Sequence, residues 1–379
     1  MAEGVKPYRR YRGGRVKGRV PLDKAKRAPA KPPASAKPKG RRRWGRWVAL
    51  GLGSLVLFLV VWSFLGYLSF SSGVDEANQR LPRRAYAALA EHDGSLLSDP
   101  ATILVIGTDG GSAPGRGDSN RSDSLLLMRT DPGTHRLSYL SIPRDLRADI
   151  PGFGSGKINA ANQFGGPALT IATVRALTGL PIHHVVVLNF DAFKELIDAL
   201  GGVEIDVPKK ILSNKFDCPY KAARCAEWDG WRFEKGKQTM DGRRALVYSR
   251  VRTNQLDSSD NDVTRGGRQQ AVAAAVGAEI ASFGTFLKLP FVGDSLAAPL
   301  ITDLSAGELV RLGWVRFRAD ASRSLHCRLG GEPATLGGES VILGSDENLE
   351  VIAMFLRRSA PLAPEKGSLY AGGCTRRPG

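Results

Sequence analysis

The run from Trp47 to Phe70 is 24 residues long without an acidic or basic side chain, and none interrupts the chain between Arg46 and Asp75. At 1.5 Å rise per residue, about 20 apolar residues cross the hydrocarbon core as one helix. The run therefore predicts one N-terminal transmembrane helix over 47–70. A secretory signal peptide is the competing reading, but its apolar core is usually about 7–15 residues and a small-residue cleavage site should follow it. Trp44, Trp47, Trp62 and Tyr67 suit the two membrane interfaces.

Residues 1–46 hold 17 Lys and Arg against Glu3 and Asp23, so nearly all of the chain's formal charge of +17 sits before the span. Basic residues flanking a first span stay on the cytoplasmic side. This predicts a single-pass cell-membrane protein with a cytoplasmic N-terminus and an extracytoplasmic C-terminal domain. Pro29, Pro32, Pro33 and Pro38 alternate with Ala and Lys, a composition with too little apolar surface to fold. Such a tail is expected to be disordered and to attract anionic membrane lipid. It carries no helix-turn-helix pattern, and no nucleic acid partner is expected.

Beyond the span, residues 71–100 read as an extracytoplasmic connector broken at Pro82, and 101–290 as the main domain. Residues 291–379 either complete that domain or form a small appended module. Short β-rich runs cover Thr102–Gly107, Ser124–Thr130 and Arg136–Ile142, the last two separated by the turn signal Asp131-Pro132-Gly133-Thr134. Helices are expected over Pro167–Thr178, Asp191–Leu200, about Asp262–Phe283 and around Ser305–Arg316. Strands are expected over His184–Phe190 and, after the Gly201-Gly202 stop, over Val203–Val207. Apolar strands with intervening helices predict an α/β fold, a layered α-β-α sandwich around a central mixed sheet.

All four cysteines follow the span, and none has zinc or redox spacing. Cys218 and Cys225 enclose a short loop and are expected to form a local disulfide. Cys327 and Cys374 either pair or remain buried thiols.

Arginines and aspartates gather at strand ends. Asp109 follows the first strand, Arg121 and Asp123 stand just before the second, and Arg144 and Asp145 follow the third. Neighbouring strands can bring these groups to one rim of a sheet, where α/β folds place ligands. Carboxylates suit Mg²⁺, which takes one or two of them and completes its shell with phosphate oxygens and water. Guanidinium forks suit phosphate. Further cations are Lys157, the pair Arg250 and Arg252, and Arg265 and Arg268, which fall with Gln269 at i, i+3 and i+4 of one predicted helix. Arginine in a first helical turn opposes the helix dipole unless an anion sits nearby.

Other motifs fail. Gly152 to Lys157 lacks the phosphate-loop spacing, and neither H-E-x-x-H nor G-x-S-x-G occurs. His183 and His184, adjacent on a strand, should face opposite ways and serve structure rather than a metal. Trp228 and Trp231 read as core or loop anchors before they read as a sugar platform.

Taken in order, Gly-Thr-Asp at 107–109, Arg-Ser-Asp-Ser at 121–124, Ser-Ile-Pro-Arg-Asp at 141–145 and Lys-Ile-Asn-Ala-Ala at 157–161 resemble the LytR–CpsA–Psr (LCP) family. Asn-Phe-Asp at 189–191, the Gly-Gly-Val-Glu-Ile-Asp-Val-Pro segment at 201–208, the segment 241–252 and Arg-Gly-Gly-Arg-Gln-Gln at 265–270 continue the resemblance. It covers about Ile103 to Ala281 and implies that 101–290 is a catalytic domain. The implied activity is phosphotransfer of a glycopolymer from a polyprenyl-pyrophosphate-linked glycan donor to a peptidoglycan acceptor, forming a phosphodiester in cell-wall assembly. By the same resemblance Asp109 and Asp123 are metal-associated, the cofactor being Mg²⁺ or Mn²⁺. Arg121, Arg144, Lys157, Arg250, Arg252, Arg265, Arg268 and Gln269 hold or surround the pyrophosphate, and a hydrophobic tunnel accepts the lipid.

Among these, Arg144, Arg250 and Arg252 are expected to act catalytically through charge stabilisation. Asp262 is the candidate base, its alternative role being a helix cap. Competing readings are a polyprenyl-pyrophosphate hydrolase, a membrane-bound transcription attenuator and a non-catalytic wall-binding scaffold.

Overall fold

The computed structural model describes residues 41–109, 121–257, 262–280, 282–365, 368 and 370–376. The apolar run forms the middle of helix α1 (Arg41–Gln79). Among the described residues it is the one helix that is by itself long and apolar enough to cross a membrane. Val48, Leu55, Phe58, Val60, Phe64 and Leu68 along it are exposed. The expected break at Pro82 occurs: α1 ends at Gln79, and Pro82 is the N-cap of the short α2 (Arg83–Ala88).

Strands β1 (Thr102–Thr108), β2 (Ser122–Asp131) and β3 (Arg136–Ile142) form an antiparallel meander. The hairpin β4 (Arg147–Ile150) and β5 (Gly154–Lys157) occupies the segment whose glycines mimic a phosphate loop. Helix α3 (Ala160–Thr178) starts earlier than expected, because a break at Gly165 and Gly166 joins an extra turn to the helix that Pro167 opens. Strand β6 (His184–Asn189) pairs parallel to β1. Next comes α4 (Phe190–Leu200), which Gly201 ends in the left-handed conformation at φ 91°, a geometry that glycine adopts at little cost.

Strand β7 (Val203–Val207) pairs with β10 (Gly236–Met240), and the short β8 (Ile211–Leu212) with β9 (Arg232–Phe233), around the six-residue α5 (Ala222–Glu227). Helix α6 (Gly242–Arg250) precedes α7 (Asp262–Ile280) and α8 (Phe283–Ala297). The single helix expected over Asp262–Phe283 thus ends at Ile280. A new one is capped by Ser282, whose Oγ accepts from the Thr285 N–H at 3.0 Å; serine at this position competes for backbone donors and starts helices.

Strand β11 (Ile301–Thr302) and helix α9 (Ala306–Arg318) lead into β12 (Leu325–Arg328). The hairpin β13 (Glu332–Leu336) and β14 (Glu339–Leu343), helix α10 (Glu347–Phe355) and β15 (Gly373–Thr375) complete the described chain. The central sheet is mixed, in the order β11-β6-β1-β2-β3-β12-β15. Strands β12 and β15 therefore place C-terminal residues in the same sheet as β3, and Cys327 and Cys374, partners in that ladder, are disulfide-bonded. Cys218 and Cys225 are also bonded.

The two faces of the sheet differ. Leu104, Ile106, Leu125, Leu127, Leu140, Ile142, Val185 and Val187 point into a core shared with Ile171 and Val174 of α3 and with Ile352 and Phe355 of α10. The alternate residues Val105, Leu126 and Leu188 lie on the opposite face and are only half-buried. Opposite them stands a second core built from α4, β7, α6 and α7, including Ile197, Ile205, Tyr248 and Val272. The layers keep a space between them.

Candidate active site

That space is a cavity of about 480 Å³. Val105, Leu126 and Leu188 of the sheet, Phe190 and Phe193 of α4, Leu246 of α6 and Val272 and Ala273 of α7 give it apolar walls. Ser124, Ser141, Asn189, Asn214 and Ser249 add neutral polar groups, and the charged lining consists of Asp123, Arg144, Arg250, Arg252 and Arg265. Four guanidinium groups against one carboxylate make this a site for an anion. Its apolar walls can take a hydrocarbon chain attached to that anion.

Arg144, in the turn after β3, donates from Nη1 to Asp123 Oδ1 at 2.6 Å and reaches Asp145 Oδ2 with Nε at 3.4 Å. Lys157 sits behind this pair, 3.7 Å from Asp145 and 3.6 Å from Glu339. It steadies the network that orients Arg144 and is not a cavity-lining residue. Burial alone would lower the Arg144 pKa, but the hydrogen bond and charge of Asp123, and then Asp145, raise it above the ordinary arginine value. The guanidinium remains charged at every physiological pH.

Arg250 is the last residue of α6, where a cation complements the C-terminal end of the helix dipole. It is paired with Asp217, and its guanidinium lies 4.6 Å from the Phe190 ring centroid and 5.6 Å from that of Phe216. An arginine held between two rings and a carboxylate has little freedom to turn away from the cavity. Trp231 anchors the Phe216 loop by donating Nε1–H to the Phe216 carbonyl at 3.0 Å.

On α7, Arg265 and Gln269 line the cavity. Arg268 does not: it is buried and donates to the Val251 carbonyl. The i, i+4 pair shares a face, while i+3 turns toward the segment that carries Arg250 and Arg252. Asp262 is the first residue of α7, and its side chain lies outside the described residues. Arg121 is exposed and donates to Gln163 Oε1 at 2.8 Å, away from the cavity lining. Asp109 follows β1, its N–H donating to the Arg121 carbonyl at 3.3 Å, so it stands one strand away from Asp123.

Among the described residues, no group of three or more His, Cys, Asp or Glu side chains converges as a metal cage. Two carboxylates on neighbouring strand ends suit the sparse protein ligation of Mg²⁺, with phosphate oxygens and water as the remaining ligands. The donor set fits that ion.

The sequence assigns no role to the lining residues Asn214 and Phe216, and names Asn189 and Phe190 only within the motif at 189–191. Asn189 has a local signal, since its Oδ1 caps α4 by accepting from the Ala192 N–H at 2.7 Å. Phe216 has none, because a loop distant in sequence delivers it. The histidine pair also departs from expectation. His183 precedes the strand, so alternation does not separate it cleanly from His184, and both rings adjoin His92, with centroids 5.1 and 5.8 Å away.

Comparison with known proteins gives the same fold. The chain is 30% identical over 319 residues to the polyisoprenyl-teichoic acid–peptidoglycan teichoic acid transferase TagU of Oceanobacillus iheyensis, covering 82% of this chain and 92% of that relative. The solved structure of Bacillus subtilis TagV is 26% identical and superposes with a TM-score of 0.54, over 69% of this chain and 97% of that one. The LytR-CPS2A-psr family protein YwtF (TagT) with bound octaprenyl pyrophosphate lipid gives 25% identity and a TM-score of 0.51, over 70% and 92% of the two chains. With the LytR_cpsA_psr family model matching residues 65–353, the chain belongs to the LytR_cpsA_psr family.

Proposed function

We propose that the protein is a phosphotransferase that moves a phosphate-linked glycopolymer from a polyprenyl-pyrophosphate carrier to a hydroxyl of peptidoglycan. One observation carries the reading: a single cavity joins apolar walls to Arg144, Arg250, Arg252, Arg265 and Gln269. Its two halves match the two halves of a prenyl pyrophosphate. The named activity of TagU and the lipid bound to TagT support the same reading.

In this mechanism the prenyl chain lies against Val105, Leu126, Leu188, Phe193 and Val272, and the arginines hold the pyrophosphate. The acceptor oxygen attacks the phosphorus that carries the glycan. A phosphodiester bond to the acceptor forms, the bond to the bridging oxygen breaks, and prenyl phosphate leaves with the electron pair. The arginines neutralise charge that grows on the phosphoryl and leaving oxygens, and a positioned acceptor removes much of the entropic barrier. Asp262 is the proposed acceptor of the hydroxyl proton. Asp109 and Asp123 are the residues that would hold Mg²⁺ or Mn²⁺, whose chemistry is to neutralise phosphate oxygens. The same site would hydrolyse the donor if water took the acceptor's place.

The basic residues before Trp47 support a cytoplasmic tail and an extracytoplasmic domain. The test uses the full chain in nanodiscs with a short-chain prenyl-pyrophosphate glycan, peptidoglycan oligomers and Mg²⁺, beside an Arg144→Ala variant. A phosphodiester-linked conjugate in the mass spectrum, formed by the unmodified chain alone, is the expected result. Prenyl phosphate without conjugate would instead indicate hydrolysis, and bound lipid without turnover a scaffold.

A further inference from the structure

Helix α8 carries an exposed apolar face, with Phe283 72%, Leu287 45% and Phe291 75% accessible at positions i, i+4 and i+8. The helix also rests on α1, with Phe291 at the edge of that contact. Trp62 donates Nε1–H to the Phe286 carbonyl at 3.3 Å, and its ring meets Phe291 edge-on at 5.8 Å. Farther along, the Asp294 N–H donates to Ser69 Oγ at 3.2 Å. A Cβ on Gly73 would fall 2.3 Å from the Asp294 carbonyl oxygen, and one on Gly293 would fall 2.8 Å from the Phe70 nitrogen. Close packing through small residues is how helices associate inside a bilayer.

These contacts fix direction and depth. They run from Trp62 to Gly73 on α1 and from Phe286 to Asp294 on α8, so the two helices ascend together for about 12 Å. Both become charged at the same level, α1 at Asp75 and Glu76 and α8 at Asp294, and Arg80, just past α1, donates to the Ala298 carbonyl. Below that level the one ionisable group of α8 is Lys288, whose ammonium reaches toward Gly201 at the end of α4, as a lysine does when its stem is apolar-bound. The segments Gly267–Ile280 and Phe283–Ala297 are together apolar enough to cross a membrane, yet meet at 81°. A bend of this size is what a segment entering and leaving one leaflet requires.

We propose that the corner between α7 and α8 inserts into the lipid leaflet beside α1, with Phe283, Leu287 and Phe291 against acyl chains. The inference rests on the reading of α1 as the membrane span. Because the stretch of α1 that holds α8 is the end of the uncharged run, any bilayer that covers Trp62 and Ser69 also covers the exposed face of α8. From the corner, where the Glu279 carboxylate accepts from Ser282 Oγ at 3.1 Å, α7 leads back to the cavity wall at Val272 and Ala273.

The test places single cysteines in the full chain, Phe283→Cys and Phe291→Cys on α8, Leu59→Cys on the span and Leu349→Cys on α10 as an aqueous control. Each is labelled with an environment-sensitive fluorophore in nanodiscs of phosphatidylethanolamine and phosphatidylglycerol. Labels at 59, 283 and 291 should be quenched by doxyl lipids and be several-fold less sensitive to aqueous iodide than the label at 349. Quenching at 59 with iodide-sensitive labels at both 283 and 291 would overturn the insertion and leave the span intact. Iodide sensitivity at 59 as well would remove the span reading and the insertion together.

Discussion

The Arg144 guanidinium holds the Asp123 carboxylate at 2.6 Å, tying the start of β2 to the turn after β3 and aiming a fixed cation into the cavity. Removing one preorganised charge donor typically lowers turnover about a hundredfold or more. Arg144→Ala should therefore lose most transfer activity. The pair is partly exposed, 27% and 32%, so solvent screens part of its charge and the fall in melting temperature should be moderate rather than large. A large fall in melting temperature with proportionate activity would instead mark Arg144 as structural.

Asp123 opposes an anion unless a metal intervenes. Asp123→Asn should bind inorganic pyrophosphate more tightly than the unmodified chain in EDTA, yet gain less from added Mg²⁺. Isothermal titration with and without Mg²⁺ measures both effects. Equal Mg²⁺ enhancement in the two proteins would remove Asp123 from the metal site.

Arg265 and Arg268 separate function from stability within one helical turn. Arg265→Ala should reduce transfer with little change in unfolding. Arg268→Ala removes a buried donor to the Val251 carbonyl, and losing a hydrogen bond from a charged group costs about 1.5–3 kcal/mol. Denaturant midpoints beside initial rates distinguish the two, and the reverse pattern would contradict the geometry.

Ala273 offers a way to fill the apolar wall without touching the arginines. Ala273→Phe should weaken binding of an octaprenyl pyrophosphate while leaving inorganic pyrophosphate affinity nearly unchanged. A parallel loss of both would mean that the substitution disturbs α7 as a whole.

His183 is held down to a pKa of about 4, first by burial and then by His92, His184 and Arg129. It is neutral in the folded chain while the unfolded form protonates near 6.5. Its contribution is full above about pH 6.5 and is lost as pH falls toward 4, because the unfolded state binds the extra proton. Burial, followed by Arg316, lowers His326 as well, which acts in the same direction. The Nδ1 of His183 accepts from the Thr102 N–H at 2.9 Å, a bond that asparagine can imitate. His183→Asn should accordingly flatten the dependence of the melting temperature on pH between 4 and 6.5; an unchanged slope would assign the effect to other groups.

Much of the architecture could be read locally. The uncharged run from Trp47 to Phe70 determines a long apolar helix, because nothing in it demands water. Alternation and turn residues located β1, β2, β3, β6 and β7 within a few residues, and Gly201 stopped α4 where expected. The arginines and aspartates at strand ends announced an anion site, because charge is expensive to bury there without a ligand or partner. Tertiary structure decided the rest. The i, i+3, i+4 spacing of Arg265, Arg268 and Gln269 left open which arginine faces the cavity, and packing against Val251 turned Arg268 away. Phe216 and Asp217 reach Arg250 from a loop more than thirty residues earlier, a pairing that no local pattern encodes. The cavity itself arises from the gap between two cores, and the exposed face of α8 acquires meaning only where that helix meets Trp62, Ser69 and Gly73. Local sequence sets conformational preference and charge, whereas distances between segments depend on how their buried faces fit together.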